Sequence, residues 1–224
     1  SPLTDRVLPA CDGMFLGGGF PETHMDQLEE NSAMRAAVAH FIDNQGPVYA
    51  ECGGLMYLCD RLTWEAKTRR MAGVIPAEVV MHAKPQGRGY VRLRETPSHP
   101  WPAEAHGDSV VPGHEFHYSR VVAGKDSEST KLRLDRGQGV GARRDGLVKD
   151  RVWASYMHLH GLGTPSWAPS FAELARAYRK ERAGGSPGGR SEAGGPETTV
   201  TEHGSDDGTE LGGQGVAAAA GGRR

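Results

Sequence analysis

The sequence predicts an α/β domain built on a mixed β-sheet and followed by a C-terminal tail that does not fold. Three observations carry this. Near the N-terminus, short apolar runs that meet glycines alternate with stretches of helical periodicity, the pattern of parallel strands joined by crossover helices. The middle of the chain reads as short β-rich runs bounded by Gly and Pro, which suggests antiparallel or mixed strands. From Gly184 onward the chain turns to Gly, Ser, Thr and acids, without aromatics and with only isolated Val and Leu. Such a segment cannot bury enough apolar surface to offset its ordering entropy. The predicted division is therefore 1–183 for the folded domain and 184–224 for a disordered tail.

In order along the chain, "DGMFLGGG" reads as a short strand running into a glycine turn. "ETHMDQLEENSAMRAAVAHFIDNQG" repeats apolar residues at helical spacing from Met25 through Ile42, with Gly46 as its stop. "PVYAE" is the next strand and "GLMYLCDRLTW" the next helix. "MAGVIPAEVVMH", "RGYVRLRET", "HEFHYSRVV" and "KLRLDRG" supply the mixed strands. "LVKDRVWASYMHLHG" is a strand or hairpin ending in a His-rich loop. "SFAELARAYRKER" places a Ser at the N-cap position with Glu three residues later, and is the last helix. No internal repeat is present.

Composition narrows the function. The formal net charge of the 224 residues is −2, so no global basic field calls for nucleic acid or an anionic membrane. No apolar run approaches the roughly 18–20 residues of a membrane span, and no secretory signal is seen. Mean hydropathy is −0.53, a low value to which the polar tail contributes. Cys11, Cys52 and Cys59 are too few and too odd in number for a disulfide framework, which predicts a reducing, cytoplasmic setting. The chain begins with Ser rather than Met and reads as a piece of a longer protein.

The chemistry concentrates in "GPVYAECGGLMYLCDRL". If Val48–Ala50 is a strand and Leu55 starts a helix, Cys52 stands in the loop beyond the carboxyl end of a strand, where α/β sheets place reacting groups. A tight strand-to-helix turn pushes its side chain up and out, and Gly53 and Gly54 leave room beside the sulfur. The N–H groups that open the helix favour a thiolate and can bind an oxyanion. The alternative for Cys52 is a small buried side chain in a tight turn. Cys59 reads as core and Cys11 has no assigned role.

A nucleophilic thiol needs a base, usually His. Two clusters stand out among the ten histidines, "GHEFHYS" and "ASYMHLHG". His158 and His160 alternate along an extended segment and share one face. They could suggest a metal site, but no Asp or Cys accompanies them at ligand spacing, so no metal is predicted. "GHEFHYS" reads either as a strand with a solvated polar face or as one wall of a pocket for a polar substrate. A second glycine run, "LGGGFPE", lacks the Lys-Ser/Thr of a phosphate loop. Its N–H groups can supply the other half of an oxyanion hole opposite Cys52.

"LGGGFPETHMDQL", "AECGGLMYL", "GHEFHYS" and "ASYMHLH", in that order from Ser1 to about His160, closely resemble the glutamine amidotransferase domain of the cobyrinic acid a,c-diamide synthases. These form the cobalamin branch of the class I, triad-like amidotransferases. The resemblance implies a flavodoxin-like α/β fold that hydrolyses glutamine to glutamate and ammonia. Cys52 matches the nucleophile that forms a glutamyl thioester, and His158 matches the base of a Tyr-x-His pattern. Gly18, Gly19 and Gly53 match the oxyanion donors. Many class I relatives carry a Glu two residues after the base; here that position is His160, an uncertain helper to a Cys–His dyad. The resemblance further implies a partner, an ATP- and Mg-binding synthetase domain that activates corrin carboxylates and receives the ammonia. No P-loop occurs in this chain, so no cofactor is expected on it. After "HLH" the chain reads "GLGTPSWAPS", an apparent insertion relative to the family. A related tetrapyrrole or cobyric acid synthase, or an amidotransferase fold kept as a non-catalytic interaction module, are the other readings.

Overall fold

The fold is that of a computed structural model in which residues 1–95, 110–123 and 130–184 are described. The predicted tail lies outside the described residues except for Gly184, which closes the last helix.

Strand β1 (Met14–Leu16) runs into the glycine loop, and a 3-10 turn (Pro21–His24) leads to α1 (Met25–Glu30) and α2 (Ser32–Asp43). The periodicity predicts one helix here, and the structure breaks it at Asn31. The Asn31 side chain caps α2 by accepting the Met34 N–H at 3.3 Å, and its amide donates to the carbonyls of Pro2 and Asp5, both at 2.8 Å. A capping side chain that also anchors the N-terminal segment outweighs the continuation of the helix. The left-handed residue after α2 is Gln45, at φ 65°, rather than Gly46. Gly46 is needed for space, because a Cβ there would lie 2.3 Å from the Phe41 ring.

Strand β2 (Val48–Glu51), buried throughout, leads into α3 (Gly53–Leu58), which ends after six residues. The chain then enters β3 (Cys59–Trp64) instead of continuing the predicted helix. A bulge between Cys59 and Arg61 shifts the register, so Cys59 and Leu62 are both fully buried although three residues apart. A strand so bulged imitates helical spacing. Cys59 is core, as its apolar neighbours predict, but on a strand.

The remaining strands are β4 (Lys67–Arg70), β5 (Ile75–Met81), β6 (Gly87–Glu95), β7 (Val111–His117), β8 (Ser119–Ala123), β9 (Thr130–Arg136), β10 (Arg144–Lys149), β11 (Val152–Ser155) and β12 (Met157–His158). One sheet has the order β1-β2-β11-β10-β9-β6-β7-β12, and a second the order β4-β3-β5-β8. In the first, β1, β2 and β11 are parallel to one another and every other pairing is antiparallel. The sheet is mixed, as predicted. The second predicted helix, α3, does not cross over to a third parallel strand of this sheet, since β3 belongs to the other one.

Only Tyr156 separates β11 from β12, yet these strands stand third and eighth in the sheet. The sheet must therefore curl until its far edge returns to its parallel centre. Tyr156 is the anchor of that return: it is fully buried and its hydroxyl meets Ser119 Oγ at 2.7 Å.

The last helix, α4, spans Trp167–Gly184 and starts three residues before the predicted Ser cap. Ser170 lies inside it, its N–H bonded to the Ser166 carbonyl at 3.0 Å. Pro169 is tolerated because an N–H in the first turn has no helical acceptor.

Candidate active site

β2 and β11 run in parallel register with Glu51 opposite Ser155, so the turn after β2 and the segment after β11 emerge at the same end of the sheet. Cys52 makes that turn at φ 47° and ψ −98°, a conformation that L residues rarely adopt. Its N–H donates to the Ser155 carbonyl at 2.7 Å and its carbonyl accepts the Met56 N–H at 3.0 Å. The corner is thus tied to β11 on one side and to α3 on the other. The predicted elbow is formed, with only a short helix behind it.

The glycines around it answer to close approach. A Cβ on Gly53 would lie 2.7 Å from the Gly19 carbonyl oxygen, and a Cβ on Gly18 would lie 2.8 Å from His158 Cε1. The glycine loop after β1 therefore packs on the elbow and on the imidazole at once. Cys52 is only 8% exposed and packs within the main hydrophobic cluster, as a small buried side chain would. It also faces polar neighbours: its Sγ lies 3.9 Å from the Phe116 carbonyl oxygen, and the His158 ring is near enough to interact with it electrostatically.

His158, half-buried at the end of β12, has its Nδ1 3.2 Å from Glu51 Oε2. The Cys52 sulfur, and after it the Glu51 carboxylate, outweigh burial and push the imidazole up to about 10. The other Glu51 oxygen accepts the Leu159 N–H at 3.2 Å and the Tyr49 hydroxyl at 2.5 Å. On the adjacent strand β7, His114 is the register partner of His158, their ring centroids 6.2 Å apart.

The structure brings together Cys52, His158, Gly18, Gly19 and Gly53. It does not bring His160 to them. His160 is exposed, its Nδ1 receives the Leu162 N–H at 3.3 Å, and its carbonyl caps the turn to Gly163 and Thr164. Glu51 is not among the residues that the sequence singles out. The available signal was its place immediately before an elbow cysteine, on a strand whose apolar run it ends.

"GHEFHYS" is neither a solvated strand face nor a pocket wall throughout. His114 and Phe116 are exposed, whereas Glu115 and His117 are buried. Glu115 accepts the N–H groups of Gln138 and Gly139 at 2.8 and 2.9 Å, and His117 stacks on Tyr156 at 3.7 Å. This alternate half of the strand supports the return of β12. Among the described residues no group of three or more His, Cys, Asp or Glu is placed to hold a metal ion, and no helix is long and apolar enough to cross a membrane.

Residues 1–165 match the family model of the CobB/CobQ-like glutamine amidotransferase domain. A cobyrinate a,c-diamide synthase of Magnetococcus marinus is 41% identical over 176 residues, covering 79% of this chain and 37% of that protein. One of Archaeoglobus fulgidus is 38% identical, covering 77% of the chain and 37% of its own length. The chain thus spans little more than a third of these relatives. A glutamine amidotransferase crystal structure superposes with a TM-score of 0.52 at 18% identity, over 74% of this chain and 79% of the other, a likeness of fold.

Proposed function

The chain belongs to the family of CobB/CobQ-like glutamine amidotransferase domains, and on that premise we propose that it hydrolyses glutamine through a Cys52 thioester and supplies the ammonia for amidation of a corrin. The observation that carries the proposal is the strained Cys52 corner and the His158 imidazole brought together under one glycine loop, which packs on both.

In this reading the Cys52 sulfur, ionised by transfer of its proton to His158, attacks the side-chain amide carbon of glutamine. Charge builds on the carbonyl oxygen, where the N–H groups of Gly53 and of the Gly18–Gly19 loop are the donors. Collapse of the tetrahedral adduct breaks the C–N bond, and the His158 proton leaves with the nitrogen as ammonia. The thioester removes the thiolate that was the larger cause of the raised imidazole pKa. His158 then becomes the stronger acid and is fit to stay neutral, taking a proton from the water that attacks the thioester. Glutamate departs and the thiolate returns. The same ring is acid in the first half and base in the second because its partner changes charge.

The relatives' names favour cobyrinate, and hence its a- and c-carboxylates, as the acceptor. ATP and Mg belong in this reading to a synthetase portion, in cis or as a separate chain, with cytoplasm as the setting. His160, exposed and engaged with its own turn, is assigned no step.

The test is alkylation by 6-diazo-5-oxo-norleucine together with a glutaminase assay. Wild-type protein is expected to carry the label on Cys52 alone and to release ammonia from glutamine, and Cys52→Ala to do neither. Label on Cys11 or Cys59, or hydrolysis that survives Cys52→Ala, overturns the assignment.

A further inference from the structure

We infer that Glu51, the residue immediately before the nucleophile, is the positioning residue that holds His158 in its working tautomer and orientation. The inference deepens the glutaminase reading and rests on it for its kinetic consequence, though its geometry stands apart.

The backbone shows why this residue and no other. Glu51 is the last residue of β2 and Ser155, opposite it, the last of β11. Three residues beyond Ser155 the chain has returned through Tyr156 to place His158 over the end of β2. Side chains alternate along a strand, so Tyr49 and Glu51 share one face and Ala50 takes the other. The Glu51 carboxylate, mostly buried, is then used on both oxygens. Oε1 accepts from Tyr49 Oη at 2.5 Å and from the Leu159 N–H at 3.2 Å, while Oε2 faces His158 Nδ1 at 3.2 Å. One acid thus grips the imidazole and the backbone of the next residue, fixing both ring and segment.

Two further features hold the carboxylate in this role. Burial, and then the Glu51 charge, push the Tyr49 phenol far up, so it stays a hydrogen-bond donor. Tyr49 itself cannot swing away, because its ring stacks on Phe15 at 5.4 Å and meets the edge of Trp153 at 5.2 Å. With Nδ1–H donated to Glu51, the remaining nitrogen, Nε2, is the one left for Cys52 and substrate. An acid at Nδ1 fixes the tautomer and stabilises the imidazolium that forms. The titratable groups facing the ring are Glu51 and Cys52 from the β2 side and His114 from β7. Of these, Glu51 and His114 remain when the thiol is removed, and among the described residues only Glu51 touches Nδ1.

The test follows the His158 imidazole by NMR titration of histidine-labelled full chain in a Cys52→Ala background, which silences the thiol's contribution. Glu51→Gln is expected to lower the His158 midpoint clearly, and Glu51→Asp to lower it less. With Cys52 intact, Glu51→Gln is expected to cut kcat roughly 100-fold, within the usual range for orienting groups and general acid–base catalysis, while KM for glutamine changes little; Asp should restore part of kcat. A midpoint unmoved in a folded Glu51→Gln chain overturns the inference, and should that chain not fold, an unmoved midpoint in Glu51→Asp does so. If wild type hydrolyses no glutamine yet the midpoint moves, the positioning role stands and the glutaminase reading falls. Normal hydrolysis with an unmoved midpoint gives the reverse.

Discussion

Replacing Cys52 by glycine is expected to do what such a change seldom does in a protein interior, namely leave the fold about as stable as the alanine variant. Alanine is the right reference, since both substitutions remove the sulfur. Cys52 sits at φ 47° and ψ −98°, where a Cβ is strained at a cost of about 1–3 kcal/mol. Glycine relieves that strain and alanine retains it. Against the gain stand about 0.5–1 kcal/mol of extra backbone entropy in the unfolded glycine chain and about 0.8 kcal/mol for one buried methyl group. Taking about 2 kcal/mol for the strain and about 1.5 kcal/mol for the opposing effects leaves glycine ahead by about 0.5 kcal/mol. At an unstrained buried site the same exchange costs about 1.5 kcal/mol. Urea unfolding of the two variants, followed by circular dichroism, reads the difference. A Cys52→Gly chain less stable than Cys52→Ala by about 1.5 kcal/mol or more would refute the idea that the elbow stores backbone strain.

Two predictions concern other parts of the site and its frame. Gly18→Ala sets a methyl 2.8 Å from His158 Cε1 and must displace loop or ring, so glutamine hydrolysis should fall by roughly 10–100-fold while the melting temperature hardly moves; undiminished kcat would mean the loop is free to retreat. Asp145 accepts the N–H groups of Gly146 and Tyr156 at 2.8 and 3.2 Å, yet burial pushes its carboxyl from 3.8 up to about 6. The folded state then binds the proton more tightly than the unfolded one, so this residue's contribution to stability falls as pH rises from about 4 to about 6. Unfolding of wild type and Asp145→Asn across that range should show the asparagine variant lacking the decline, and parallel curves would contradict the assignment.

What the sequence made legible was mostly local. The alternation of β1, helix and β2, the corner at Cys52 and the polar histidines all follow from patterns read along neighbouring stretches of the chain. The departures arise where a distant contact reuses a residue. Asn31 splits a helix because Pro2 and Asp5 supply acceptors for its amide. The run from Cys59 to Leu62 mimics a helix because a bulge aligns every third residue with the core. Ser170 looks like a cap only if the loop before it, ending at Ser166, is ignored. At the site, Cys52, His158 and the glycine loop are readable from residue types and order. Glu51 is not, because its contact with His158 spans 107 positions and exists only once β12 has curled back. His160, two residues beyond His158, reads in one dimension as an uncertain helper; in three, its ring belongs to its own turn.

The bond from the Cys52 N–H to the Ser155 carbonyl has a consequence for the life of the polypeptide. The sulfur and its imidazole are synthesised about a hundred residues apart, and strand β11, which joins them, is the last parallel strand to arrive. A ribosome-bound chain that has emerged only through α3 carries the Cys52 thiol but not yet the His158 imidazole. In the proposed chemistry, ammonia release therefore waits for the closing of the sheet.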